Sequence, residues 1–155
     1  MSYRIARLAL ALSLLAQLGC AGSEPRKPAP QSFASLPAED QQVYVALFRY
    51  MFAHWQQNPY KIPTRFYVSL RGFDAPADLL SQFKAEHYIV GPAYRYREGS
   101  GVLCSAEIIN FESKSKAVVH GGYLYGSVGG EWGAFVLEKR AGFWRVISWK
   151  VEVLA

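Results

Sequence analysis

Six large apolar side chains recur at i, i+3, i+4, i+7, i+8 and i+11 between residues 44 and 55: Tyr44, Leu47, Phe48, Met51, Phe52 and Trp55. That spacing draws one continuous stripe down a helix, which needs something broad and apolar to lie on. Glu39 and Asp40 sit in its first turn, where negative charge suits the helix dipole. Asn58-Pro59 ends it. The partner surface has to come from the rest of the chain, and from Gly91-Pro92 onward the apolar period falls to two residues.

The strand pattern begins with Thr64 to Leu70, where Phe66, Val68 and Leu70 alternate with polar neighbours. A short helix follows, with Asp74 read as its N-cap, Pro76 in its first turn and Leu79, Leu80 and Phe83 on one face. Tyr94 and Tyr96, alternating with Arg95 and Arg97, read as a strand. Val102 to Phe111, Ala117 to Tyr125, Trp132 to Glu138 and Phe143 to Leu154 read as four more. Turns fall at 99–101, 113–116, 126–130 and 139–142, and Gly121-Gly122 reads as a bulge or bend. A long helix and a short one followed by a meander of strands imply an α+β domain. The expected form is two helices on one bent antiparallel sheet of about four to six strands.

The N-terminus is of another kind. Arg4 and Arg7 precede an apolar run from Leu8 to Leu18 that closes on Gly19-Cys20. Twelve helical residues span about 18 Å, against about 30 Å for the hydrocarbon core, so this is a signal peptide and not a membrane span. Gln17-Leu18-Gly19-Cys20 resembles a lipobox, the cleavage motif of bacterial lipoprotein signal peptidase. Gln17 departs from it, because an aliphatic residue is usual there. The resemblance implies that Cys20 is the acylated first residue of the mature chain and anchors it to the bilayer. By the same resemblance, Ala21, not being aspartate, favours the outer membrane facing the periplasm. Cleavage after Ala21 or Gly22 would instead give a soluble secreted protein. Residues 1–19 are then the signal, 20–37 a Pro-rich linker and 38–155 one domain. The 17 residues from Ala21 to Pro37 reach at most about 55 Å.

Without Arg4 and Arg7, 15 basic face 12 acidic side chains, a dispersed formal +3. Nucleic acid is not an expected partner. With Cys20 acylated, Cys104 has no disulfide partner, and the two-residue period puts it on a face with Val102, Ala106 and Ile108 as a small buried hydrophobe. A catalytic thiolate would need a histidine beside it, and His120 is the one on a neighbouring strand.

His54, His87 and His120 lie far apart, without metal-ligand spacing. No phosphate-binding glycine loop, nucleophile elbow or cofactor motif is present. The segments Gly121-Gly122-Tyr123, Tyr125-Gly126, Phe135 to Lys139 and Gly142 to Val146 resemble those of uncharacterised bacterial envelope proteins. The last hairpin is also similar to the closing hairpin of nuclear-transport-factor-like (cystatin-like) cone folds. That resemblance implies a pocket between the sheet and the long helix, lined by Tyr94, Tyr96, Glu107, His120 or Tyr123, and Trp132.

Two functional readings follow. One is a non-catalytic envelope module that binds a protein, a glycan or a small apolar ligand through aromatic strand faces. The other is a small hydrolase or isomerase using Glu107 and His120 as an acid–base pair. In the last strand the two-residue period puts Trp149 on the core face and Trp144 on the opposite, partly wet face, where Trp144 would be a contact residue.

Overall fold

The structure, a computed structural model, describes residues 32–57, 65–126 and 129–154. The expected signal peptide, Cys20, most of the expected linker and the expected Asn58-Pro59 helix stop lie outside the described residues. A 3₁₀ turn at Phe33–Ser35 leads into α1 (Ala38–Gln56). Then follow β1 (Arg65–Leu70), β2 (Phe73–Asp74), α2 (Ala77–Ala85), β3 (Ile89–Pro92) and a second 3₁₀ turn at Ala93–Arg95. The chain closes with β4 (Val102–Ser113), β5 (Lys116–Tyr125), β6 (Gly129–Arg140) and β7 (Phe143–Leu154). The class is α+β, as expected.

The sheet departs from the expectation in strand number and direction. It has seven strands in the order β2-β1-β4-β5-β6-β7, with β3 beside β1. β1 runs parallel to both β3 and β4, so the sheet is mixed. The cause is α2, which carries the chain from the end of β1 back to its start, a crossover that makes the next strand parallel. Asp74 does not cap α2. It lies in β2, and its Oδ1 accepts the Tyr94 N–H at 2.7 Å, while Pro76 precedes the helix without a side-chain cap.

The stripe on α1 is core: Tyr44, Leu47, Phe48, Met51 and Phe52 are fully buried and Trp55 nearly so. Phe52 stacks on Phe66 of β1 at 4.4 Å and meets Phe83 of α2 edge-on at 5.1 Å. The packed domain starts earlier than Ala38. Phe33 is buried, and the Asp78 carboxylate on α2 accepts from Ser32 Oγ at 2.6 Å and from the N–H groups of Phe33 and Ala34 at 3.0 Å each.

Register shifts interrupt the ladders between Ala106 and Ile109 in β4, and twice along β6–β7, at Trp132/Gly133 and at Val136/Leu137. Each adds a residue to one strand and moves everything beyond it to the other face. Ile108 is therefore exposed and Ile109 buried, so Cys104 shares its buried face with Val102 and Ala106 but not with Ile108. In β7, Val136 pairs with Ser148 and Leu137 with Val146, which leaves Ile147 as the extra residue. Trp144 and Val146 before it, and Trp149 after it, all pack on the helix side.

Candidate functional site

The structure scatters most of the side chains that the strand pattern gathers. Trp144 is 5% exposed, packs edge-on to Phe111 at 6.0 Å, and has Lys139 Nζ over its ring at 5.8 Å. It is a core residue, not a wet contact, because the Ile147 bulge reverses the parity of the strand. Tyr94 lies in a 3₁₀ turn and Tyr96 caps that turn, so neither is on a strand. Pro92, at the turn's start, holds the chain out of the ladder. His120 and Trp132 alternate with the buried Val119, Gly121 and Tyr123 and with Gly133 and Phe135, which puts both on the face away from α1. His120 Nδ1 has Glu152 Oε2 at 3.6 Å, and both side chains are largely solvated. Glu107 makes no ion pair among the described residues. Its main-chain carbonyl, turned out by the β4 irregularity, accepts the Tyr44 hydroxyl at 2.7 Å. Arg71 Nε donates to the same hydroxyl at 3.0 Å, and Arg71 Nη2 donates to Asp40 at 2.9 Å.

Of the predicted lining residues, Tyr123 alone faces the long helix, and a dense aromatic cluster surrounds it. His54, in the last turn of α1, stacks on the Tyr123 ring at 5.8 Å and lies edge-on to Trp149 at 5.7 Å. Trp55 meets Tyr123 at 5.5 Å and Tyr125 at 4.5 Å. Trp149 stacks flat on Phe135 at 5.2 Å and lies edge-on to Tyr123 at 5.2 Å. Tyr50, one helical turn before His54, stacks on it at 6.2 Å. His54 is exposed and Trp149 half-buried, so the cluster reaches the surface.

Glycine builds this arrangement. Tyr123 pairs with Glu131, so Phe135 lies four residues further along β6, about 13 Å away at about 3.3 Å per residue. Their ring centroids are nonetheless only 6.3 Å apart. The row between them is Gly121 paired with Gly133, which presents no side chains on that face. The bulges at both ends of that row, beyond Ala106 in β4 and at Val151 in β7, bend the sheet along it.

The site holds unmet polar groups. Trp55 Nε1, Tyr123 OH and Trp149 Nε1 are buried and have no hydrogen-bond partner among the described residues. Burial pushes the Tyr123 hydroxyl well above its ordinary pKa, so it stays protonated and able to donate. The rings that reach the surface at His54 and Trp149 suit an apolar or planar ligand face, and the donors buried among them suit acceptor atoms on a ligand that inserts between the rings. Cys104, opposite Tyr123 in the ladder, is fully buried, and desolvation raises its thiol far above the usual range. A buried, protonated thiol is not a nucleophile. Among the described residues no three His, Cys, Asp or Glu side chains gather as a metal site.

The sequence reading missed His54, Tyr50 and Tyr125, and treated Trp149 as core only. One signal was there: Tyr50 and His54 form their own i, i+4 pair beside the main stripe, on the edge of the buried face. No family model matches this chain. Comparison with curated proteins and with solved structures likewise returns no match.

Proposed function

We propose that this chain is an extracytoplasmic lipoprotein, tethered through acylated Cys20, whose domain is a non-catalytic binding module. Its binding surface is the aromatic cluster at the end of α1. The observation that carries this reading is the packing of the Tyr123, Trp55 and Trp149 rings around the exposed His54, with an unpartnered N–H or O–H on each of the three. Each unpaired buried polar group costs about 1–3 kcal/mol, a cost that a ligand with matching acceptors removes. Sugars fit: their C–H faces lie on aromatic rings and their oxygens accept from indole and phenol groups, so an envelope glycan is the ligand class we favour. The curved sheet around a long helix supports the cone-fold reading of the C-terminal half.

Soluble cell-wall glycan fragments titrated into the protein should change its tryptophan fluorescence saturably. Trp149→Phe keeps an aromatic face, though a smaller one, and removes the N–H, and should weaken binding about tenfold, the equivalent of about 1.4 kcal/mol. No saturable change in the wild type would end the glycan reading. The anchor is tested in cells: Cys20→Ala should leave the membrane fraction and lose labelled fatty acid. A wild type that takes up no label is not a lipoprotein.

A further inference from the structure

A second concave surface lies on the other face of the sheet. It is an open cleft of about 510 Å³ along β1, β3 and the 3₁₀ turn after β3, and its lining includes Arg65, Arg95, Arg97, Tyr67 and Tyr94. Phe66 and Val68 point into the core, so Arg65 and Tyr67, their alternates on β1, point into this cleft, away from α1. None of its lining residues is acidic. Among the described residues, none of the three guanidinium groups has a carboxylate within ion-pair distance. The nearby acids stand outside the lining: Asp74 accepts the N–H of the lining residue Tyr94, and Glu98 follows Arg97.

Two of the three arginines are held, not splayed. Arg97 Nη1 donates to the carbonyl oxygens of Tyr94 at 2.9 Å and Tyr96 at 2.7 Å, which fixes its plane and leaves its other N–H groups free to face outward. Arg95 lies over the Tyr94 ring at 5.5 Å and donates from Nε to its hydroxyl at 3.0 Å. Tyr67 forms a buried floor, stacked edge-on against Tyr96 at 5.7 Å. A hydrogen bond with Ser100, aided by Arg65 and by the charge of Arg97, outweighs burial and holds the Tyr67 hydroxyl below its ordinary pKa.

We infer that this cleft binds a phosphate ester. Three guanidinium forks offer more donors than a single carboxylate can accept, whereas a phosphate monoester presents three unesterified oxygens, and a diester two beside its ester oxygens, in the geometry arginine matches. The cavity is far larger than one phosphate, so it admits the alcohol portion of the ester against Tyr94. Such a ligand is either a phospholipid headgroup or a soluble phosphate ester. This site does not depend on the aromatic cluster, which faces α1.

The test is calorimetry on the full chain in neutral-detergent micelles, with two probes. One is glycerol 3-phosphate in solution, and the other is phosphatidylglycerol doped into the micelles, with phosphatidylcholine as the control. Saturable binding that falls with salt is expected for at least one probe, weakened at least tenfold in both Arg95→Gln and the double variant Arg65→Gln/Arg97→Gln. Binding of phosphatidylglycerol alone identifies a lipid headgroup, and binding of glycerol 3-phosphate identifies a soluble ester. Thermal melts accompany both variants. Arg95 is exposed, and its hydrogen bond and ring contact are both with the exposed Tyr94 side chain, so Arg95→Gln decides the matter even if the double variant unfolds. No saturable binding of either probe, or binding unchanged in Arg95→Gln, overturns the proposal.

Discussion

One extra residue decides where two tryptophans of the same strand point. Trp144 and Trp149 are five apart, so a regular strand would put them on opposite faces. Ile147, bulged out between Val146 and Ser148, brings both to the helix side and is itself 42% exposed. Trp144 therefore covers the core where the β6–β7 hairpin meets the start of α1. There Lys139, directly opposite it in the ladder, also reaches Glu39 at 2.9 Å. Trp144→Ala should cost about 3–5 kcal/mol in chemical denaturation, the range for a buried tryptophan. Trp149→Ala should cost less, because Trp149 is half-buried, and its larger effect should be on ligand binding. A Trp144→Ala protein within 1 kcal/mol of wild type would mean that the bulge is misplaced and the strand regular.

At the scale of elements, the readable parts were those with a period long enough to show their type. The α1 stripe from Tyr44 to Trp55 is unbroken, and the four-strand meander from Val102 onward alternates clearly between its bulges. The bulges at Ala106/Ile109 and at Ile147 escaped, because one added residue changes parity without changing composition. β3 escaped because its four residues include Gly91 and Pro92, which read as a stop, and only the crossover through α2 gives them a partner. Of the site, Tyr123 was legible from strand alternation, but His54 was not. Its i, i+4 pairing with Tyr50 marks only the edge of the buried face, and the bend of the sheet is what brings Tyr123 and Trp149 to it.

The N-terminal turn is a further element that composition concealed, since Phe33 sits in a Pro- and Ser-rich stretch. It is clipped to α2 by Asp78. Burial alone would raise the pKa of that carboxyl, but hydrogen bonds from Ser32, Ala34 and Phe33 outweigh it and bring the pKa to about 2. The ordinary carboxylate value is about 3.9, so the folded form prefers the charged group. The clip's contribution is therefore complete above about pH 5 and fades as pH falls toward 2. In an NMR titration the Phe33 and Ala34 amide signals should move together through that acid range. Asp78→Asn should abolish the step and leave the turn undocked at neutral pH. Amide signals that ignore acid, or that titrate the same way in Asp78→Asn, would show that the clip does not hold the turn.

The whole molecule turns on a line crossing four strands, small at Ala106 in β4, Gly121 in β5 and Gly133 in β6 and ending at Val151 in β7, each paired with the next. A Cβ built on Gly121 would collide with the carbonyl oxygen of Ser105, and one on Gly133 with that of Lys150, with the Val151 Cα at 3.0 Å. In both cases the obstacle is the main chain of the neighbouring strand, which cannot step aside as a flexible side chain could. Neither glycine has positive φ, so these positions demand space, not a left-handed backbone. Gly72 is the converse: its φ is 77° and a Cβ there meets nothing within 4 Å. Gly72→Ala should thus cost only backbone strain, about 1–2 kcal/mol. Gly133→Ala forces a methyl group into the next strand, and should cost at least about 1–3 kcal/mol, the range for overpacking, or prevent folding outright. The two substitutions should also differ in kind. If Gly133→Ala folds at all, it can do so only by opening the bend, which draws Tyr123 away from Phe135 and Trp149 and takes apart the surface around His54. Glycan affinity should then fall in Gly133→Ala and stay at the wild-type value in Gly72→Ala. A folded Gly133→Ala protein that binds as tightly as wild type would separate the bend from the site, and the aromatic cluster would lose its claim to be the product of the sheet's curvature.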